Sequence, residues 1–253
     1  MTAIEWTTIT TNPIIGCTKV SPGCKNCYAE RMAARLATMP QTKGVYAPTI
    51  NDKSRWSGEL VFRPEVLKKL RRTKKPQMVF LGSMTDIFHP ASRDYWLDQI
   101  LDTIHATSHL TYQILTKRPQ RAAKKLAGIP TIQNLWLGTS VESEEYYYRV
   151  NWLRRIDAAA VRFLSCEPLL GPITSIAGEK AEDLNWIIAG GESGPGARPM
   201  KPEWARSIRD QCQSAGIPLF FKQWGAFNED GQRVGKKAAG RILDGHEWSE
   251  YPE

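Results

Sequence analysis

Between Gln77 and Lys222 the chain alternates two hydrophobic periods. Short apolar runs rich in branched and aromatic residues, at 77–82, 112–116, 135–139, 161–165, 186–189 and 218–222, read as strands. The longer stretches between them carry apolar residues at helical spacing. One starts near Ser92, an expected N-cap, and sets Trp96, Leu97, Ile100, Leu101 and Ile104 on one face. Others are expected over 119–127, 142–156 and 202–215, the last opened by Pro202 and closed by Gly216. Strands regularly separated by helices form right-handed βαβ units and a parallel sheet. Such a sheet needs cover on both faces. The expected fold is therefore α/β: a partial (β/α) TIM-like barrel of parallel strands with outer helices, with a doubly wound open sheet as the second arrangement.

A further strand is expected between Thr8 and Ile15, and the aperiodic stretch 40–63 reads as a loop or insertion near the site. A length of 253 residues, 42% hydrophobic, suits one domain over 1–253, with the Gly-rich, charged 225–253 as a C-terminal wrapping tail. No leader pattern and no run of about 18 apolar residues occurs, so a soluble cytoplasmic protein without membrane contact is expected.

In parallel α/β sheets, functional loops follow the strand C-terminal ends. Every expected strand here ends in polar, charged or Gly-rich residues, as in Gly82-Ser-Met-Thr-Asp86, Thr116-Lys-Arg-Pro119 and Gly190-Gly-Glu-Ser-Gly194.

Three of the five cysteines fall within eleven residues, Cys17, Cys24 and Cys27, after the first expected strand. Crowded thiols with a Pro22-Gly23 turn between them suit a soft metal centre in a reducing compartment. Structural zinc takes four ligands; His89, Cys166 or Cys212 is the available fourth. A cubane held by three cysteines instead leaves one iron open to a small molecule.

The run Asn12-Pro-Ile-Ile-Gly-Cys17 followed by Cys24-Lys-Asn-Cys27-Tyr-Ala-Glu30 resembles the radical S-adenosylmethionine superfamily, near its spore photoproduct lyase-like branch. Nearly the whole chain resembles the phage Gp37/Gp68 (three-Cys-motif) family. That resemblance rests on Ile114-Leu-Thr-Lys-Arg-Pro119, Leu137-Gly-Thr-Ser-Val-Glu142, Leu164-Ser-Cys-Glu-Pro-Leu-Leu-Gly171 and Phe221-Lys-Gln-Trp-Gly225. Six residues, not the superfamily's usual three, separate the first two cysteines, and Asn26 stands where an aromatic residue is common. The superfamily resemblance implies a [4Fe-4S] cluster on Cys17, Cys24 and Cys27, with S-adenosyl-L-methionine cleaved to a 5′-deoxyadenosyl radical. A reductant protein such as flavodoxin or ferredoxin, and an unidentified partner protein, are implied with it.

The superfamily resemblance implies that Ser83, Thr85 and Asp86, at the strand end after the cysteines, receive the methionyl amine of that cofactor, with a turn and helix cap as the plain alternative. Ser140 and Glu142 end the strand that resembles the superfamily's ribose-contacting strand, which implies contact with its ribose, unless Glu142 simply starts a helix. Lys117 and Glu167 are expected on the cofactor side of the same rim, and Arg118, Glu192, Arg198, Lys222 and Trp224 on the substrate side. Ion pairs that hold the rim are the alternative for each charged member. Gly190 and Gly191 are expected to admit adenine or substrate close to the backbone. Tyr28, Trp56 and Trp224 are candidates to stack on bases, against ordinary core packing. A net charge of +8 fits a nucleotide or nucleic-acid partner, and equally ordinary solubility charge. The second functional class is a non-catalytic nucleic-acid-binding protein stabilised by zinc or an iron–sulfur cluster.

Overall fold

The computed structural model describes residues 4–176, 178 and 181–253. Strands β1 (Ile9–Thr11) and β2 (Ile14–Ile15) precede helix α1 (Tyr28–Ala37), the short α2 (Lys43–Tyr46), β3 (Val61–Phe62) and α3 (Pro64–Arg71). There follow β4 (Gln77–Leu81), α4 (Asp94–His105), β5 (Leu110–Thr116), α5 (Pro119–Lys125), β6 (Ile132–Ser140), α6 (Tyr148–Leu153), β7 (Ala159–Cys166) and β8 (Trp186–Gly190). The chain closes with α7 (Pro202–Ala215), β9 (Leu219–Gln223), α8 (Lys236–Ala239) and the hairpin β10 (Ile242–Leu243) and β11 (His246–Glu247).

Seven strands form one sheet in the order β1-β4-β5-β6-β7-β8-β9. The pairs β1·β4, β4·β5, β7·β8 and β8·β9 are parallel. Sequential parallel order with helices between strands is that of a partial (β/α) TIM-like barrel, as the alternation implied. All five residues of β8 are buried, the mark of a strand covered on both faces.

Four local expectations change. The strand expected over Thr8 to Ile15 is two strands, because β2 turns away to pair antiparallel with β3. The aperiodic 40–63 contains α2, a 3-10 turn at Ala47–Thr49 and β3, elements too short to register a period. The cap of α4 is Arg93, not Ser92, which is buried beside it; Asp94 supplies the negative charge that a first turn favours. The helix expected over 142–156 is a 3-10 turn, Glu144–Tyr146, followed by the shorter α6.

Two compact units can be distinguished. The first comprises 1–20, 27–136 and 157–160, the second 21–26, 137–156 and 161–253. In the first, Trp6 packs on Phe80 with ring centroids 4.7 Å apart. An apolar cluster of Ile15, Ala29, Ala33, Tyr46, Trp56 and Met84 lies there too. In the second, Trp186 is 0% exposed among Phe163, Phe220 and Tyr251. The expected tail wraps the edge of β9: Phe221 N donates to Trp248 O, and Trp186 Nε1 donates to Glu250 O at 2.8 Å. No helix among the described residues is long and apolar enough to cross a membrane.

Candidate functional site

The cysteine segment is anchored in each unit separately. Residues 16–20 belong to the first. There Thr85 Oγ1, just past the end of β4, donates to Gly16 O at 2.7 Å. Arg118, at the end of β5, reaches Thr18 twice, donating to its carbonyl at 3.0 Å and to its hydroxyl at 2.7 Å. Arg118 is aimed by Asp86, whose carboxylate accepts from Arg118 Nη1, Lys117 N, Thr116 Oγ1 and Phe88 N. Four donors on one buried carboxylate make a rigid bracket. His89 completes it. Its Nδ1 accepts from Ala91 N at 3.1 Å, which leaves the proton on Nε2 to be donated to Thr18 Oγ1 at 2.8 Å. Burial, and then the Arg118 charge, push the His89 pKa down to about 4, so the ring is neutral at pH 7.

One turn into α1, Glu30 is 1% exposed and holds three donors: Lys19 Nζ at 2.9 Å, Arg55 Nη1 at 2.9 Å and Trp56 N at 3.1 Å. Burial alone raises its pKa, but these donors outweigh burial and hold it below the usual carboxylate value. Ser83 is bonded to Asn12, whose Nδ2 donates to Ser83 Oγ at 3.1 Å.

Residues 21–26 belong to the second unit. Ser21 Oγ donates to Glu142 Oε1 at 2.6 Å, and Arg149 Nη1 donates to Glu142 Oε2 at 2.9 Å and to Ser140 O at 2.7 Å. Gly23 lies so close to this carboxylate that a Cβ there would sit 2.4 Å from Glu142 Oε1. Only glycine admits that approach. On the other side Asn26 Nδ2 donates to Glu192 Oε2 at 3.0 Å and to Gly196 O at 2.6 Å. Arg198 forks onto Glu192 at 2.8 and 2.6 Å and reaches Pro22 O at 3.0 Å. Burial raises the Glu192 pKa, but Arg198 and Asn26 more than reverse it.

All three thiols are free and partly exposed. Their polar contacts are long, Cys17 Sγ to Thr18 O at 3.5 Å and Cys24 Sγ to Ser21 Oγ at 3.8 Å. Cys17 and Cys27 both pack against the apolar cluster of the first unit. Burial, reinforced by Asp86, pushes the Cys17 thiol up to about 11. A free, partly exposed thiol is the donor chemistry that a soft metal or an iron–sulfur cluster takes, and binding displaces its proton. Among the described residues no three His, Cys, Asp or Glu side chains already stand in a metal-ready group. Cys166 and Cys212 are buried thiols, and burial pushes Cys212 up to about 12.

A family model described as "Protein of unknown function (DUF5131)" matches residues 1–252. The chain belongs to that family. The description does not confirm the phage Gp37/Gp68 name expected from the motifs. No curated protein matches. Among solved structures, one titled "Spore photoproduct lyase complexed with dinucleoside spore photoproduct" is similar at 11% identity and a TM-score of 0.45. The match covers 79% of this chain and 59% of that one, so the chain spans less than two thirds of the length of that neighbour.

In this DUF5131 chain most of the strand-end charged residues singled out from the sequence are already engaged by protein groups. Glu142 is 0% exposed with both oxygens engaged. Glu167 pairs with Lys222 at 3.1 Å. Ser140 is buried, its Oγ without a hydrogen-bond partner among the described residues. The space that Gly191 leaves is filled by Trp224 O, 1.9 Å from where a Cβ would be, so the close approach belongs to the neighbouring strand end and not to adenine. Trp224 itself is 3% exposed, its Nε1 donating to Ile242 O at 2.7 Å, and Trp56 is 9% exposed. Neither offers a face for stacking, because the wrapping tail and the 40–63 segment cover them. Tyr28 is half open, its hydroxyl donating to Ser83 O. Sequence reasoning missed Glu30, Asn12, Asn26 and Arg149; the only signal was their nearness to the cysteines or to a strand end.

Proposed function

We propose that this chain is a radical S-adenosylmethionine enzyme in which Cys17, Cys24 and Cys27 hold a [4Fe-4S] cluster, and that it acts on a nucleotide or nucleic acid. The supporting observation is the donor set, three free and partly exposed thiols within eleven residues just past β2, in an α/β chain whose strand ends are polar. When bound, such a cluster has one iron without a protein ligand and supplies one electron to the sulfonium of S-adenosylmethionine, which divides into methionine and a 5′-deoxyadenosyl radical.

The chain's own part is to hold and to shield. Thr85, Arg118 and Glu30 fix residues 16–19, while Glu142, Glu192 and Arg198 fix 21–26. The apolar cluster behind Cys17 and Cys27 keeps water from that side of the sulfurs, as a reactive radical requires. A reducing compartment such as the cytoplasm keeps the thiols free, and a flavodoxin- or ferredoxin-like protein delivers the electron.

The test is anaerobic reconstitution with iron and sulfide, then dithionite and S-adenosylmethionine. A cluster chromophore, about four irons per chain and 5′-deoxyadenosine release support the proposal. Stoichiometric zinc with no cluster overturns it in favour of a metal-stabilised binding protein.

A further inference from the structure

Residues 63–75, Arg-Pro-Glu-Val-Leu-Lys-Lys-Leu-Arg-Arg-Thr-Lys-Lys, carry seven cations and one carboxylate, a net +6 in a chain whose total is +8. The lone carboxylate, Glu65, is already paired with Arg63. The remaining six cations, Lys68, Lys69, Arg71, Arg72, Lys74 and Lys75, are all exposed, and none is in an ion pair with a described residue. The last turn of a helix favours cations, which accounts for Lys68, Lys69 and Arg71 on α3. It does not account for Lys74 and Lys75, which lie beyond the helix. Like charges at helical spacing, such as Lys68 and Arg72, repel one another by a few tenths of a kcal/mol per pair. A fold that keeps six of them together, unpaired, bears a repulsion that a polyanion removes.

The surface is also held in shape. Arg72 N and Thr73 N close the helix end onto Lys69 O and Leu70 O, and His109 Nε2 donates to Thr73 O at 2.8 Å. Leu67 and Leu70, the apolar side of α3, are 4% and 3% exposed, so the helix has no apolar face with which to enter a lipid surface. The stretch feeds the N-terminal end of β4. Within this unit it therefore lies about 15–20 Å along the strand from the Asp86 end.

We infer that 68–75 is a docking surface for the phosphodiester backbone of a nucleic acid, bound without regard to sequence and away from the strand ends. It goes beyond the cysteine chemistry and rests on the proposed function only for the statement that the bound nucleic acid is the substrate.

The test is fluorescence anisotropy with a labelled DNA duplex of about 20 base pairs across a salt series, on the full chain without reconstitution, so that its outcome is separate from that of the cluster assay. The expected result is a log K against log salt slope of roughly −3 to −4, given about 0.9 per phosphate contacted. The combined change Lys68→Gln, Lys69→Gln, Arg72→Gln, Lys74→Gln and Lys75→Gln then abolishes most of that slope and weakens binding at least about tenfold at low salt. Thermal unfolding checks that the variant, altered only at exposed positions, remains folded. Two further probes are neutralisation of Lys236 and Lys237, exposed cations on α8, and vesicles rich in phosphatidylserine. An unchanged slope in the five-site variant, an equal loss per charge on neutralising α8, or binding to the vesicles but not the duplex each overturns the inference.

Discussion

The cysteine segment is gripped at both ends, but by brackets of different kinds. Residues 16–19 are held by groups that still meet solvent or titrate: Arg118 and Asp86 are 10% and 7% exposed in their side chains, and the ring of His89 ionises at an accessible pH. Residues 21–26 lean on the Glu142–Arg149 pair, whose side chains are 1% and 2% exposed. A sealed ion pair is costly to assemble and more costly to break, because removing one partner strands the other charge out of water. The first bracket therefore responds to pH and the second to mutation.

The largest effect is expected from Arg149→Ala, which leaves Glu142 buried without its charged partner, while Ser21 Oγ still donates to it. A loss of about 3–5 kcal/mol of stability in denaturant unfolding is expected, mostly recovered in Glu142→Gln/Arg149→Met, where no charge is left buried. If the single change costs no more than a surface substitution, the two brackets are not different in kind.

Next comes the pH response. His89 is held neutral in the fold, so at any pH between its ordinary value of 6.5 and about 4 the unfolded chain binds the additional proton. Stability is then fully present above 6.5 and falls as pH drops towards 4, by on the order of 3 kcal/mol. The physical cause is burial of the ring and then the Arg118 charge, and a proton on Nδ1 also takes away the acceptor of Ala91 N–H. Unfolding of wild type and His89→Gln between pH 7 and 4 tests this: the variant should lose most of the slope, and an identical slope in both would remove the titrating group from the first bracket.

The smallest of the three is Arg198→Ala. Arg198 is 27% exposed and Asn26 remains on Glu192, so about 1–2 kcal/mol is expected. Hydrogen exchange should quicken at residues 22–26 while 16–19 keep their protection; loosening of both ends together would mean that the brackets act as one.

Much of the architecture was legible in the chain. Each of the six apolar runs became a strand, because a fully buried parallel strand leaves a local compositional trace: β8, Trp-Ile-Ile-Ala-Gly, can be little else. The elements that escaped were short ones, β3 and α2, which have too few residues to show a period. The candidate site divides in the same way. Three thiols in eleven residues with a Pro-Gly turn announce a soft-metal chemistry by themselves. What each strand-end acid or base faces is not announced, since Asp86, Glu142 and Glu192 have the same chemistry whether they meet a ligand or a neighbour. Glu142 and Ser21 are 121 residues apart, and Glu30 meets Arg55 from a segment without periodicity.

The sequence by itself thus determined the order of strands and helices, the polar strand ends and the cluster of thiols, all of them consequences of local spacing. Only the tertiary structure decided that Arg118 turns to Thr18, that Arg149 seals Glu142 and that the tail covers Trp224. Those choices depend on which distant groups the closed chain brings within about 3 Å, and a hydrogen bond is made or lost over less than one residue's length.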